Sequence, residues 1–575
     1  MRIMIGKNDK KGFWTGLAVL AVYALGLIFV SCFHELWFDE TQAWQIAKSA
    51  SYKDMFTVVP HYEGHPPLWH LILSVFAKNG APVDITLKAI NITFCTVAMA
   101  LLIFKAPFPK PVKYLLPFTY FFFFHYGIYS RPYSITMIAF FLMAMTYKER
   151  NTHSLKYVLS LILLCLSTAF GIMIAGGLCI AWTIEIIAEL IRNKKMHLFW
   201  KDRRFYSLCL ILAVAVVLIL MIIPAEDCYY PTSDNDITLL NLTSYKLISI
   251  FPFESWSGTM IGLSGLKEYS AIFYVELPIG IAMWIALISI TAKNRKLLTF
   301  IVPYLLMSLF MVFKYMSAYH LGIGALLHIF IFWVMLDENG KIEFPEYMKK
   351  IWAGIDSALI KKAAVGLGVF LAVMPIVYSG VASFHDIKKQ CGFTWAAKFI
   401  KDNHLEDRKI LAAWQALEVD TKEKDEDKYK YMFQQLELPS KHREIKQHYT
   451  YVQGDAAMIQ PYFDKNIFIN FNVDCPDDLY MHYKYKEDVE AVFASWREKG
   501  LPDFIIGYCP IDEVYGEEML EGVKYLPVAR KEMLNFFKLD EDDYTDSIYI
   551  REDLLDEYPQ LKWIDDQTGN VYERK

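Results

Sequence analysis

The sequence has no cluster of basic residues interleaved with aromatics, no CxxC or zinc-knuckle cysteine spacing, no low-complexity tract and no internal repeat. The first absence, with a formal net charge of −5, sets nucleic acid aside as a partner, because a phosphate backbone needs a basic face to bind. The second removes the zinc-finger and dithiol redox classes. The missing repeat weighs against transporters built from inverted halves. A small-residue cleavage site is also lacking after the N-terminal apolar run, so that run is read as retained and not as a signal peptide. Cysteine is sparse and mostly apolar in setting: Cys32, Cys95, Cys165, Cys179 and Cys209 fall inside hydrophobic runs, where a thiol acts as a small hydrophobe. Cys228, Cys391, Cys475 and Cys509 lie outside them, and a disulfide among these four stays open.

What is present in excess is apolar surface. Hydrophobic residues make up 55% of the 575, against roughly 45 to 50% in soluble domains, and the excess has to sit in lipid. Eleven runs approach the ~20 residues that a bilayer core requires, at about 13–33, 84–104, 114–130, 133–147, 157–171, 173–190, 206–223, 271–291, 297–313, 321–336 and 363–380. Summed over alternate connections, the N-terminus and the loops at 105–113, 148–156, 192–204, 291–296 and 337–362 carry 24 Lys and Arg, and the intervening loops carry about seven. Basic residues stay in the cytoplasm, so the N-terminus is placed there, and eleven crossings place residue 381 onward outside.

The expected architecture is therefore an α-helical polytopic protein of the plasma (inner) membrane. Residues 1–380 form its transmembrane domain, with long outer loops at 34–83 and 224–270, and residues 381–575 form an extracytoplasmic domain. Acidic residues dominate that second part. Its short β-rich runs at 410–414, 466–470, 504–508 and 547–550, alternating with helical stretches such as 485–499, predict an α/β fold. Within the first outer loop, Trp69 to Phe76 is apolar but too short to span, which suits a helix lying in the interface.

The same loop concentrates the chemistry. Directly after the first run comes Phe33-His34-Glu35-Leu36-Trp37-Phe38-Asp39-Glu40-Thr41-Gln42-Ala43-Trp44, and some twenty residues later His61-Tyr62-Glu63-Gly64-His65-Pro66-Pro67-Leu68-Trp69. A carboxylate in a partly apolar cleft gains basicity, which makes Asp39 and Glu40 candidate proton acceptors; an N-cap role for Asp39, on a helix opening at Glu40, is the alternative. The two prolines after His65 impose an extended turn. Glu63 and His65, with His61 beside them, are the ligand types of zinc or manganese, so a divalent metal stays open as a cofactor. Arg131, in Tyr129-Ser130-Arg131-Pro132-Tyr133, can grip two phosphate oxygens, and an interfacial anchor is the alternative. His125, Lys314, Tyr315, Tyr319 and His320 are further polar groups at the outer boundary, where ionisable residues are functional candidates. His328, deeper, is read as a hydrogen-bonded packing residue. Glu226 to Tyr230 is read as wettable surface, and the Asn241-Leu242-Thr243 sequon as outward-facing.

The Asp-Glu pair after the first span, the His-Pro-Pro-Leu turn leading into an aromatic helix and the Arg-x-Tyr between the third and fourth spans together resemble the GT-C membrane glycosyltransferases. Within them, the chain is similar to the branch of protein O-mannosyltransferases and the lipid A aminoarabinose transferase. The likeness covers residues 13–147 and extends more loosely through the span layout and outer domain. It implies inverting transfer of a sugar from a polyprenyl-phosphate donor to a glycan, lipid or protein acceptor on the outer face. Asp39 would be the base, with Glu40 beside it. Arg131, Tyr133, His320 and Lys314 would face the donor phosphate, and His61, Glu63 and His65 would line the loop. One departure is that the aminoarabinose branch has Lys where this chain has His65, so the sugar is left open. Two other classes compete: a transporter or lipid flippase with a capture domain, and a catalytically dead scaffold that anchors the acidic domain.

Overall fold

The computed structural model describes residues 10–226, 228, 252–256, 271–314, 318–355, 357–388, 392–412, 415–418, 450–452, 454–472, 475, 477–483, 498–508, 522–534, 543–564 and 571–572. The Asn241-Leu242-Thr243 sequon, Asp227, Tyr229, Tyr230, Tyr315, Cys391, Cys509, Trp414 and residues 485–497 of the expected helix lie outside them.

Most described residues are helical, and each of the eleven apolar runs lies on helical structure. Six helices among the described residues are long and apolar enough to cross a membrane: α1 (Lys10–Ser31), α4 (Val83–Lys105), α7 (Ala169–Arg192), α8 (Arg203–Ile222), α11 (Leu321–Asn339) and α12 (Ala358–Lys388). Between them run α2 (Phe38–Ser49), α3 (Leu68–Ala77), α5 (Tyr133–Tyr147), α6 (Ser154–Ser167), α9 (Ala271–Lys293) and α10 (Leu297–Phe313). Bare Leu, Val and Phe side chains cover the outward faces, such as Leu212, Val217 and Leu220 on α8 and Leu367 and Phe370 on α12. Surface of this kind is stable in lipid and not in water, so the chain is a membrane protein. Helix α3, at ten residues about 15 Å long, is too short to cross, as the sequence predicts.

Three local features shape the site. The third apolar run is a broken helix: Lys110–Leu115, a tight turn at Leu116–Phe118, a wide π-helical turn at Tyr120–His125 and a last turn at Tyr126–Ile128. Pro117 removes a backbone donor at the break. Helices α6 and α7 fold back on each other through one extended residue, Thr168, which is possible because position 171 is glycine: a β-carbon there would lie 2.1 Å from the Leu164 carbonyl oxygen. Helix α12 spans 31 residues, about 46 Å against roughly 30 Å of hydrocarbon, so it overruns the expected end at 380 and carries Asp386 beyond the bundle. At the opposite end of the bundle Arg150 pairs with Glu185 (2.6 Å) and Glu338 (3.1 Å), and Lys296 with Glu338 (2.6 Å).

Beyond α12, helix α13 (Thr394–Asp402) packs on a four-stranded sheet. Strand β1 (Ile410–Ala412) runs parallel to β2 (Phe504–Tyr508), which pairs antiparallel with β4 (Asp543–Arg551), and β4 with β3 (Tyr525–Leu534), giving the order β1-β2-β4-β3. Ile410, Phe504, Ile506, Ile548 and Ile550 meet Ala396 and Ile400 in a core of its own. The strand expected at 466–470 contributes a single bridge, Phe468 to Ile410. Its asparagines bond backbone instead: Asn466 donates to the Phe471 carbonyl, and Asn470 bonds both backbone groups of Ala412. β3 escapes the sequence because Pro527, Arg530, Lys531 and Glu532 mask its alternation, and its register shifts between Pro527 and Ala529.

The domain docks on the loop between α1 and α4 and on the first turn of α4. Lys531 pairs with Glu35 (2.9 Å), Tyr462 donates to Asp84 (3.2 Å) and Lys48 pairs with Asp464 (2.9 Å). Beside these contacts, most of them part-buried, the sheet and α13 carry a hydrophobic core that belongs to the domain alone. Residues 385–575 expressed alone are therefore expected to give a single cooperative thermal transition by circular dichroism. A gradual, featureless melt would show that the membrane part supplies the fold.

Candidate functional site

Helix α2 opens directly after α1, and its first turn holds both acids of the Asp-Glu pair with different surroundings. The capping role considered for Asp39 belongs to its neighbour: Glu40, in the first turn, accepts the Trp37 backbone N–H on Oε2 (2.9 Å). The same oxygen lies 3.0 Å from His34 Nε2, and Oε1 accepts the Ser130 N–H (2.6 Å). His34 turns its Nδ1 to both oxygens of Asp386 (3.1 Å each), at the overrunning end of α12. All three side chains are buried. Burial alone would push the His34 imidazole down, but Asp386 and Glu40 hold it up at about 10. Burial works against Glu40 ionisation too, yet His34 and the two backbone donors hold its carboxyl below the usual range.

Asp39 is left for Arg131. Its carboxylate is 3.2 Å from the guanidinium Nη2, while Nη1 donates to the Asp39 carbonyl (2.9 Å). Burial raises the Asp39 pKa, Arg131 opposes the rise and Glu40 adds to it, with a net shift upward. Arg131 is positioned from inside the bundle. Asn91 of α4, fully buried, donates to the carbonyls of Tyr126, Gly127 and Tyr129 (3.1, 3.0 and 3.3 Å), fixing the chain where the broken helix ends and the Ser130-Arg131 turn begins. Asp39 and Arg131 keep 19% and 13% of their side chains accessible, so the pair can be reached from outside.

Glu63 completes the cluster. Gln42 of α2 donates one amide proton to Glu63 (2.9 Å) and another to the Met481 carbonyl (2.8 Å), and accepts the Met481 N–H (2.9 Å). The C-terminal domain is thereby tied to this cluster through one side chain. Burial raises Glu63 to about 7, over the opposing effects of Gln42 and Arg131. His65 and His70 are pushed down to about 3 by burial and then by the Arg131 charge, so both are neutral imidazoles at physiological pH. His61 faces elsewhere: its Nδ1 donates to the Ile223 carbonyl (2.6 Å) at the end of α8. Glu63 and His65 fit a metal centre poorly. One Glu63 oxygen is taken by Gln42, and among the described residues the two belong to no group of three donors within ligand distance.

An aromatic wall stands beside Arg131. His125 stacks on Tyr319 and Tyr129 (5.5 Å each), Tyr133 stacks on Tyr126 (4.6 Å), and Trp37 meets Tyr129 and Tyr319 edge-on (6.4 Å each). His320 is buried against Phe170 (4.3 Å) and Tyr319 (4.4 Å), and Tyr133 and Tyr319 lie within electrostatic reach of Arg131. Lys314 is exposed beyond the end of α10, and no ion pair of it is seen among the described residues. His328 is buried and stacks on Trp256 (6.0 Å), but neither ring nitrogen finds a partner among the described residues, so the hydrogen bond expected for it is not formed there. His34, Gln42, His70, Asn91 and Asp386 are site residues that sequence reasoning misses. Only His34 has a local signal, standing six residues before Glu40. No family model matches the chain, and no curated protein matches it.

Proposed function

We propose that this chain is an inverting glycosyltransferase with a GT-C-like membrane domain, moving a sugar from a polyprenyl-phosphate donor to an acceptor hydroxyl at the outer face of the membrane. The observation that carries the reading is the accessible Asp39–Arg131 pair, a basic carboxylate 3.2 Å from a guanidinium at the end of an apolar helix bundle, where a lipid-linked headgroup would emerge. Asp39 takes the acceptor proton as the hydroxyl oxygen bonds to the anomeric carbon. The bond from that carbon to the phosphate oxygen breaks on the opposite face, and polyprenyl phosphate leaves with the electron pair, neutralised by Arg131.

The double hold on Arg131 suits this sequence of events. An arriving phosphate can draw Nη2 away from the Asp39 carboxylate while Nη1 stays on the Asp39 carbonyl. Asp39 then loses the charge that lowers its pKa and becomes a stronger base only when donor is bound. Tyr133, Tyr319 and His320 form the wall around this phosphate, and His65 and His70, being neutral, add no competing positive charge. Glu40, suggested by the sequence as a partner in the chemistry, has both oxygens occupied and acts by holding the backbone of Trp37 and Ser130 on either side of Asp39 and Arg131.

This reading takes all eleven apolar runs as crossings, the broken third one and α5, α6, α9 and α10 included, with the N-terminus cytoplasmic. The loop between α1 and α4 and the C-terminal domain lie at one end of the bundle, in contact, which is the arrangement that eleven crossings require. A periplasm-active reporter fused after Lys575 is expected to be active; activity of a cytoplasm-only reporter there would end the topology. Charged clusters gather at the two ends of the bundle, at Asp39–Arg131 and at Arg150–Glu338, which favours surface chemistry over a transport path.

The deciding experiment incubates purified protein with a panel of polyprenyl-phosphate sugars and measures polyprenyl phosphate released, with and without glycan, lipid and protein acceptors. Release by none of the panel would discard the reading. In a responding pair, the acid limb of kcat/KM is expected near pH 7, where Glu63 ionises beside Asp39. Glu63→Gln should shift that limb, because the neutral amide no longer titrates beside Asp39. An unchanged pH profile in Glu63→Gln would take Glu63 out of the mechanism.

A further inference from the structure

The C-terminal domain carries a second cluster, which the transfer chemistry does not use. Cys475, Asp478 and His482 each place one donor atom within 4.8 Å of the other two. Among the described residues they are the sole group of three metal-type donors so arranged. Asp478 Oδ2 already lies 2.9 Å from His482 Nε2. The stretch is held in shape locally: Asn472, with φ of 47°, donates its amide to the carbonyls of Asp478 (2.6 Å) and Tyr480 (2.7 Å). The Cys475 and Asp478 amides donate to the carbonyls of Asn472 and Cys475 (3.0 and 2.9 Å). The His482 ring is braced against Tyr480 (4.5 Å).

We propose that Cys475, Asp478 and His482 bind a zinc ion, with solvent in the fourth position. Tetrahedral zinc, with bonds of about 2.0 to 2.3 Å, puts its donor atoms roughly 3.3 to 3.8 Å apart. The cluster reaches this spacing by small rotamer changes, the Asp478–His482 pair opening by a few tenths of an ångström. A thiolate, an imidazole and a carboxylate together suit zinc and not magnesium or calcium, which take oxygen alone. Cys475 is exposed, so the ion has an entry path and a place for water.

The position gives the site a consequence. Met481, whose backbone makes both hydrogen bonds to Gln42, lies between the ligands Asp478 and His482. Zinc bound there fixes the very segment that reaches Gln42 and, through it, Glu63. The site is thus a clasp that stiffens the junction of the C-terminal domain with the loop between α1 and α4. Only this consequence, and not the binding, rests on the transferase reading.

The test uses full-length protein in detergent, tag removed, reduced and stripped with chelator. Titration with cobalt(II) is expected to give one equivalent of tetrahedral visible absorption and a thiolate charge-transfer band, both displaced by zinc. Cys475→Ser should abolish the charge-transfer band, and His482→Gln should weaken cobalt binding by about 10-fold or more. A second measurement avoids variants: zinc should slow alkylation of Cys475 by iodoacetamide, followed by mass spectrometry, by about 10-fold or more, since a bound thiolate is a poor nucleophile. Absence of a thiolate band in the wild type, an unchanged band in Cys475→Ser, alkylation indifferent to zinc, or Cys475 found in a disulfide as purified would each overturn the site. Loss of zinc binding leaves the polyprenyl-phosphate release assay as an independent test of the reaction.

Discussion

Asp39→Asn is expected to reach wild-type abundance and to lose transfer by about 10²-fold or more, the usual worth of a general base. The geometry separates this loss from damage to the fold. Arg131 holds the Asp39 backbone carbonyl through Nη1, a contact that the substitution leaves alone, and the amide oxygen of Asn can still accept from Nη2. Helix α2 does not depend on Asp39 for capping either, because Glu40 accepts the Trp37 N–H. What the variant lacks is a lone pair basic enough to take the acceptor proton. The measurement is initial-rate release of polyprenyl phosphate, with abundance and thermal stability determined on the same preparation. Turnover within a few-fold of wild type would remove Asp39 from the chemistry and leave Glu63, whose pKa of about 7 also suits a proton acceptor, as the group to test next.

The parts of this structure that could be read from the sequence are those with local causes. Apolar runs are local, and all eleven fall on helices. Arg131 follows directly from an apolar run and Asp39 stands about six residues beyond one, and a charge at such a position is conspicuous without any knowledge of its partner. The capping role weighed as the alternative for Asp39 falls to its neighbour Glu40, since a capping acid can stand at the first or third position of a helix and the sequence does not say where the helix opens. The rest was hidden by distance along the chain. His34 meets Asp386, and Gln42 meets Met481, only because α12 runs on past residue 380 and the C-terminal domain folds back onto the first loop. Asn91 reads as an ordinary polar residue in a membrane helix until the π-helical turn ends opposite it. Strand β3 was concealed by its own charges, one of which, Lys531, is the contact to Glu35.

His34→Ala is expected to cost about 3 to 5 kcal/mol of stability, because it removes the shared partner of two carboxylates and leaves them buried. Glu40 and His34 are almost wholly sequestered, so solvent screening does little to soften the loss. The pH dependence identifies the cause. The folded pKa of His34, about 10, lies above the unfolded value of about 6.5, so its contribution is fully present below pH ~6.5 and is lost as pH rises through about 10. Glu40 has the opposite sign: its lowered pKa makes its contribution present above the ordinary carboxylate range and lost as pH falls below it. Wild-type apparent Tm in detergent should therefore be highest between about pH 5 and 6.5 and decline toward pH 10. His34→Ala should start lower and lose the alkaline decline, while His34→Gln, which can bond both carboxylates without charge, should fall between the two. The triad also holds the turn that carries Asp39, so activity should drop in proportion to how far Glu40 is released. A variant within about 0.5 kcal/mol of wild type, with the same curve from pH ~6.5 to 10, would mean that the imidazole is neutral and that Asp386 and Glu40 are held apart by their other contacts.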